Sequence, residues 1–352
     1  MNYIDEFDSR IGKLFRRALK ISLKNRLLAW FFLKTSVWQH RAMFLRRRWE
    51  GKGIHVPPVM IISITHRCNL RCKGCYARAF GHSDGGEISR ECFCDIIEQA
   101  SRLGISIIML AGGEPLLRKD IMTAIKAWKH ILFPFFTNGI LIDKEWMDLF
   151  HHCKNLIPVI SLEGERQHTD ERRGEGIYDM FLETAAKLKK QAFFWGVSFT
   201  VTSLNYPVIV NKIFLKQLIE AGCRLFFFVE YVPVAPGTES LTISVEQRKE
   251  LLRSLAMFRN EFPGLFISFP GDEEAFGGCL AAGRGFVHVN PKGRLEPCPF
   301  APYSDADLNG QSLKEALSSN LMKAIRENHH KLTETSGGCA LWKEREWVQS
   351  LL

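Results

Sequence analysis

Cys68, Cys72 and Cys75 lie on one short stretch, Cys68-Asn69-Leu70-Arg71-Cys72-Lys73-Gly74-Cys75, directly after the apolar run Val59 to Ile64. Three thiolates on one loop can hold three corners of a cubane iron-sulfur cluster, and a missing fourth cysteine leaves one iron free to bind something else. Zinc on the same three sulfurs and His66 is the other chemistry the spacing allows, since zinc accepts three cysteines and a histidine. A second set, Cys279, Cys298 and Cys339, follows far downstream, the last in Gly337-Gly338-Cys339. Cys92, Cys94, Cys153 and Cys223 fall on predicted helices or their ends, where a cysteine packs as a small apolar residue.

Strand-like and helix-like runs alternate around these cysteines. Strands are expected near 59–65, 105–111, 132–137, 156–162, 194–202 and 224–232, with helices near 89–103, 119–130, 143–151, 177–190 and 207–221. Six βα steps predict a parallel sheet curved into a barrel or part of one. The pattern breaks at Pro233, Pro236 and Gly237, after which Ser244 and Gln247 form a capping box for a helix to about Asn260. The expected division is residues 1–55 as an extension, 56–235 as the barrel and 236–352 as a smaller, glycine-rich domain.

Active-site groups of such a barrel lie at the C-terminal ends of its strands. Strand 1 ends in the cysteine loop, strand 2 in Gly112-Gly113-Glu114-Pro115, strand 3 in Thr137-Asn138-Gly139, strand 4 in Ser161-Leu162-Glu163-Gly164 and strand 6 in Glu230-Tyr231. Adjacent glycines let a backbone approach a ligand closely, and a carboxylate beside them accepts hydrogen bonds from an ammonium group. Glu230 ends an apolar strand at the mouth and is the candidate substrate-facing acid or base.

Taken in order, Cys-x3-Cys-x2-Cys, Gly-Gly-Glu-Pro and Ser-Leu-Glu-Gly, with His168-Thr169-Asp170 and Arg172-Arg173-Gly174 after them, resemble the radical S-adenosylmethionine (radical SAM) superfamily over roughly residues 57–235. The resemblance implies a 4Fe-4S cluster on Cys68, Cys72 and Cys75 whose open iron chelates S-adenosylmethionine, reductive cleavage of that cofactor to a 5'-deoxyadenosyl radical, and hydrogen abstraction from a substrate. It implies that Gly112, Gly113 and Glu114 hold the cofactor's amino group, that Ser161 is a polar contact and that Arg173 lies near its carboxylate. One position departs from the family. The residue before the third cysteine is usually aromatic and packs near adenine, whereas here it is Gly74, so Tyr76 substitutes or the adenine sits differently.

Cys279, Gly293 and Cys298 are spaced like the start of the SPASM or twitch domains of that superfamily, on a hairpin expected from Phe286–Asn290 and Arg294–Pro297. The dense cysteine run of those domains is absent. The resemblance therefore implies one auxiliary 4Fe-4S cluster on Cys279, Cys298 and Cys339. The fold expectation becomes an α/β protein: a partial (βα)6 TIM-like barrel, a smaller C-terminal iron-sulfur domain and a helical N-terminal extension. An electron-transfer or iron-sulfur binding protein that never cleaves the cofactor is the competing class.

The chain has 352 residues, 46% hydrophobic and 24% charged, with a net charge of +9. That charge is local: residues 1–53 hold 13 Lys/Arg against 4 Asp/Glu, and the remaining 34 Lys/Arg match 34 Asp/Glu. Ten clustered cysteines in a chain of this size suggest metal binding in a reducing compartment rather than disulfides. The run Leu27 to Leu33 is far shorter than the roughly 20 residues of a membrane span, and no small-residue cleavage site follows it, so a cytoplasmic protein is expected. Basic residues from Arg10 to Arg48 interleave with Leu, Phe and Trp up to Trp49. That pattern suits a helix on the inner face of an anionic membrane through residues 10–49, or equally one packed on the barrel. Nucleic acid is disfavoured, since no nucleic-acid fold accompanies the charge. The remaining partners expected are a reductant such as flavodoxin or ferredoxin and a substrate that is a peptide or a lipid.

Overall fold

A computed structural model describes residues 3–81, 86–271, 273–332 and 339–352. Strands β1 (Val59–Ser63), β2 (Ile107–Ala111), β3 (Phe133–Thr137), β4 (Leu156–Ser161), β5 (Gly196–Val201) and β6 (Leu225–Glu230) follow one another across the sheet, each parallel to the last. The sheet then continues past residue 235. β7 (Leu265–Phe269) adds in parallel to β6, and β8 (Phe286–Val289) adds in parallel to β1. β9 (Leu295–Glu296) returns antiparallel on β8, which makes the expected hairpin an edge of the barrel sheet.

Helices α1 (Tyr3–Ser22) and α2 (Arg26–Glu50) precede β1, and α3 (Tyr76–Ala79) begins on the third cysteine of the loop. The crossovers are α4 (Arg90–Leu103), α5 (Lys119–Ala124), α6 (Lys144–His152), α7 (Arg166–Arg173) with α8 (Ile177–Lys190), α9 (Tyr206–Ile209) with α10 (Lys212–Glu220), and α11 (Val245–Glu261). Two expected helices are shorter than their patterns. That over 119–130 closes at Ala124 and tightens into a 3-10 turn, Ile125–Ala127. That over 207–221 is split, because the Asn211 side chain accepts from the amides of Ile213 and Phe214 and starts a new helix. The Ser244–Gln247 capping box is present on α11.

The strands are apolar because both faces of the sheet are covered. In β5 the alternation divides the two faces: Val197, Phe199 and Val201 are fully buried, while Ser198 and Thr200 face a central cavity. Each parallel strand contributes to that cavity, through Ile61, Met109, Phe136, Ser161, Ser198, Val229, Phe269 and Phe286. A sheet whose eight strands share one cavity is curled, here into a half-barrel.

The two N-terminal helices close the end of this half-barrel where the strands begin. Arg17 donates to the carbonyls of Gly264 and Phe262 just before β7, both at 2.7 Å. Phe32 meets Phe194, ahead of β5, with ring centroids 4.8 Å apart. Gln39 accepts from Ser106 Oγ at 2.6 Å, and Arg46 donates to Gly104 O at 2.7 Å while pairing with buried Asp8. The extension is thus a packed floor, with charge on its outer side. Gly104 permits the docking. It caps α4 with φ +95°, and a Cβ there would lie 2.6 Å from Ala42 O. Gly104→Ala is expected to lower the urea midpoint, with about 1–2 kcal/mol from the left-handed backbone alone and more from displacing α2.

Candidate active site

Backbone and side-chain bonds from four elements hold the cysteine loop. Glu87 accepts from Thr65 Oγ1 at 2.6 Å and His66 N at 3.1 Å, and Arg118 ties Glu87 to the carbonyls of Ile64 and Ile88. Past β2, Gly113 N donates to Thr65 O and Glu114 N to Arg67 O. Asn138, after β3, donates to Asn69 Oδ1 at 2.7 Å, and Lys73 N bonds Arg172 O on α7 at 2.8 Å. The glycine pair therefore serves the loop as well as any ligand. A Cβ on Gly112 would lie 2.3 Å from Thr65 O, and one on Gly113 would lie 2.0 Å from Arg67 O. Gly113→Ala is expected to push the loop outward and to lower the iron bound after anaerobic reconstitution by one cluster's worth, with circular dichroism unchanged.

Cys68, Cys72 and Cys75 line one cavity of about 280 Å³ together with Gly74, Tyr76, Gly112, Gly113, Glu114, Ser161, Arg173 and Glu230. Every expected site residue of the barrel thus opens on one space. Burial pushes the Cys68 thiol up, and Glu114, Cys72 and Cys75 push it the same way. Three sulfurs on a single loop, facing a cavity with room for a further ligand, fit a cubane cluster with one open iron. His66, the fourth ligand of the zinc alternative, is engaged by Glu87 at 3.1 Å. Among the described residues no three His, Cys, Asp or Glu side chains converge on a single-ion site.

Two buried carboxylates flank the sulfurs. Glu114 accepts from Thr137 Oγ1, Asn138 N and Leu116 N at 2.7–3.1 Å. Burial raises its carboxyl above the usual range, against the pull of those donors and of Arg173. Glu163, 1% exposed, accepts from Arg172 at 2.5 Å and from Nε and a terminal nitrogen of Arg173 at 2.9 and 2.5 Å. Burial works against the Arg173 charge, but Glu163, Cys72 and Cys75 outweigh it and raise its pKa. Arg173 is aimed at the loop, 4.0 Å from Cys72 Sγ. Glu230 opens on the cavity but is gripped by Arg248 of α11, at 2.8–3.0 Å through two nitrogens. The expected acid or base is therefore one half of a buried ion pair that fastens β6 to α11.

Tyr231 accounts for the glycine before the third cysteine. Gly74 has φ +66°, and a Cβ on it would lie 2.8 Å from the Tyr231 hydroxyl and 3.0 Å from its ring. An aromatic side chain at position 74 would collide with the ring that Tyr231 already supplies from the end of β6. Its hydroxyl is buried without a hydrogen-bond partner among the described residues and faces the cavity. Tyr76 turns the other way, edge-on to Phe300 at 5.0 Å. Desolvation raises its pKa, and the charges of Cys75 and Cys298 add to the rise, so the ring stands between the two sulfur sets.

Cys279, Cys298 and Cys339 are all buried, at 4%, 5% and 8% exposure. A hydrogen bond to Cys339 raises the Cys298 thiol, and burial and the charges of Cys339 and Cys279 push it the same way. Cys298, with Pro299 and Phe300, reaches the wall of the cavity. Gly337 and Gly338 of the same motif lie outside the described residues. Glu87, Asn138, Glu163, Arg172 and Tyr231 were not among the candidates chosen from the sequence. All but Glu87 and Arg172 stand in the strand-end motifs, where position was the available signal.

Residues 62–207 match the radical SAM superfamily domain. The chain carries a radical SAM domain. Its relatives include the Fe-coproporphyrin III synthase of Methanosarcina barkeri, 32% identical over 208 residues, which are 55% of this chain and 52% of that protein, so about half of that relative's length is spanned. The mycofactocin maturase MftC of Mycolicibacterium smegmatis is 26% identical over 82% of this chain and 76% of its own. Among solved structures, Streptococcus suis SuiB bound to its precursor peptide SuiA superposes with a TM-score of 0.66 at 20% identity, covering 85% of this chain and 72% of that one. The radical SAM superfamily uses a 4Fe-4S cluster and S-adenosylmethionine.

Proposed function

We propose that Cys68, Cys72 and Cys75 hold a 4Fe-4S cluster and that the enzyme uses it to convert a substrate seated between the two sulfur sites. The observation that carries this reading is the shared cavity, onto which both the cysteine loop and Cys298 open. A cluster bound there would supply the one-electron reduction of S-adenosylmethionine that starts radical chemistry. The chain supplies the rest. Glu114 is oriented by three donors to accept from the cofactor's ammonium group, with the Gly112 and Gly113 backbone beside it. Arg173, fixed by Glu163, presents a guanidinium for the cofactor carboxylate, and Ser161 adds a hydroxyl from the end of β4. Tyr231 takes the place of the aromatic residue missing at Gly74. The apolar walls, Ile61, Met109, Phe136, Val229 and Phe269, exclude water and competing hydrogens.

Cys279, Cys298 and Cys339 form the auxiliary cluster site in this reading, and residues 236–352 are a reduced SPASM-like part joined to the barrel sheet through β8. Arg67, Arg71, Lys73 and Arg78 are exposed around the cysteine loop and suit an acidic one-electron carrier of flavodoxin or ferredoxin type. A reducing compartment such as the cytoplasm would keep the six cysteines of the two sets available as cluster ligands.

For the substrate we favour a peptide. The fold likeness to SuiB, solved with its precursor peptide, extends well beyond the matched domain. A tetrapyrrole is the second reading, favoured by the apolar walls and the identity with Fe-coproporphyrin III synthase. A lipid loses its support, because the extension that suggested it floors the opposite end of the barrel. The test is 5'-deoxyadenosine released by reconstituted, reduced protein. Stimulation by a peptide fraction of host extract supports the favoured substrate, and stimulation by a porphyrin fraction the second. Reduced, cluster-loaded protein that makes no 5'-deoxyadenosine under any of these conditions points to the competing class, an electron-transfer protein.

A further inference from the structure

The outer face of α2 is unusual for a helix whose inner face is so well packed. Leu27, Trp30, Leu33, Val37 and Phe44 are 73%, 57%, 45%, 65% and 70% exposed. They recur at helical spacing on the side opposite Phe32, Thr35, Gln39, Ala42 and Arg46, which are buried against α1 and the barrel. Lys34, Arg41 and Arg48 are also exposed and stand four residues after Trp30, Val37 and Phe44, so apolar and cationic side chains alternate along one stripe. The Lys34 ammonium lies 5.0 Å over the Trp30 ring. No acidic residue occurs on α2 before Glu50.

We propose that this face of α2 docks on an anionic membrane surface. Aromatic and aliphatic residues enter the boundary between headgroups and acyl chains, while Lys34, Arg41 and Arg48 extend along them to lipid phosphates. Charge complementarity selects this occupant. A second copy pairing through the same face would set Lys34, Arg41 and Arg48 against their own kind, with no carboxylate to offset them, whereas anionic lipid attracts every one. No described helix is long and apolar enough to cross a membrane, so the contact is a surface one. Because α2 covers the ends where the strands begin, docking turns the cavity away from the bilayer. The substrate and the electron carrier then reach the enzyme from the aqueous side.

The experiment is flotation of the full chain, reconstituted anaerobically, with vesicles of phosphatidylcholine alone or with about one third phosphatidylglycerol. The expected result is flotation on the anionic vesicles only, weakening as salt is raised. Trp30→Ser/Val37→Ser/Phe44→Ser should lower partitioning at least tenfold, as should Lys34→Glu/Arg41→Glu/Arg48→Glu. Both variants should keep the parent's oligomeric state and its rate of S-adenosylmethionine cleavage, which reports that they are folded. Equal flotation of parent and both variants, or no flotation of the parent, overturns the proposal. A parent dimer that the serine variant dissociates also overturns it, in favour of a second copy.

Discussion

Cys75→Ala protein, reconstituted and reduced without oxygen, is expected to form 5'-deoxyadenosine at least about a thousandfold more slowly than the parent, a barrier change of about 4 kcal/mol. Cys75 is the last of the three sulfurs and the residue from which α3 starts. The loop it closes is held at Thr65, Arg67, Asn69 and Lys73 by groups that do not depend on it. The fold should therefore survive the substitution, and the loss should be one of the cluster alone. Cys298→Ala serves as the comparison. It should remove the iron of the second sulfur set while leaving cofactor cleavage within a small factor of the parent. Iron analysis, electron paramagnetic resonance of the reduced proteins and chromatography of the nucleoside product read the three quantities. Parent-like cleavage by Cys75→Ala would sink the assignment of this loop as the cofactor site, and parallel losses in both variants would mean that the two sulfur sets are not separable.

Glu163→Ala is the substitution expected to cost most in stability, about 3–5 kcal/mol, because it leaves buried guanidinium charges without their partner. Arg172 and Arg173 both converge on this carboxylate, and their side chains are only 17% and 10% exposed. Glu163→Gln keeps the shape and one acceptor oxygen but not the charge, so it should lose less stability. It should still weaken cofactor binding, because Arg173 would no longer be drawn to one place. Urea unfolding of the two variants and binding of S-adenosylmethionine by isothermal titration separate the effects. A stability change under about 1 kcal/mol for Glu163→Ala would mean that water reaches the arginines, which is the behaviour of exposed ion pairs.

The parts legible in the sequence were those with local signatures. Three cysteines within eight residues, six apolar runs between amphipathic ones, a proline-glycine turn for the β8–β9 hairpin and a basic helical extension all announce themselves within a short window. The parts missed are long-range. β8 pairs with β1 across more than 200 residues, and nothing within Phe286–Val289 says that its neighbour is Val59–Ile62. β7 follows Pro263-Gly264 in the part expected to be a separate smaller domain, and it joins the barrel sheet because β6 offers it a parallel edge. In the site, Gly112-Gly113 was read as room for a ligand, and the structure shows that it also makes room for Thr65 and Arg67. Glu230 stands on the mouth as expected, but its partner on α11 could not be read from its own neighbourhood. The meaning of Gly74 needed Tyr231, 157 positions away, because a void and the ring that fills it are visible only together.

The floor made by α1 and α2 sets a timetable for synthesis. Arg17 is bonded to Gly264, 247 residues later in the chain. A ribosome adding roughly 5–20 residues per second needs on the order of 10–50 s to bridge that interval. For all of it the α1 contact with the start of β7 is unmade, although Gln39 and Arg46 of α2 can meet Ser106 and Gly104 much earlier. Ile11, Phe15, Ala18 and Phe32 can meet one another as a helical hairpin, but their final burial waits for the strands. Slow synthesis between β2 and β7 would lengthen the time for which the inner side of α1 stays uncovered.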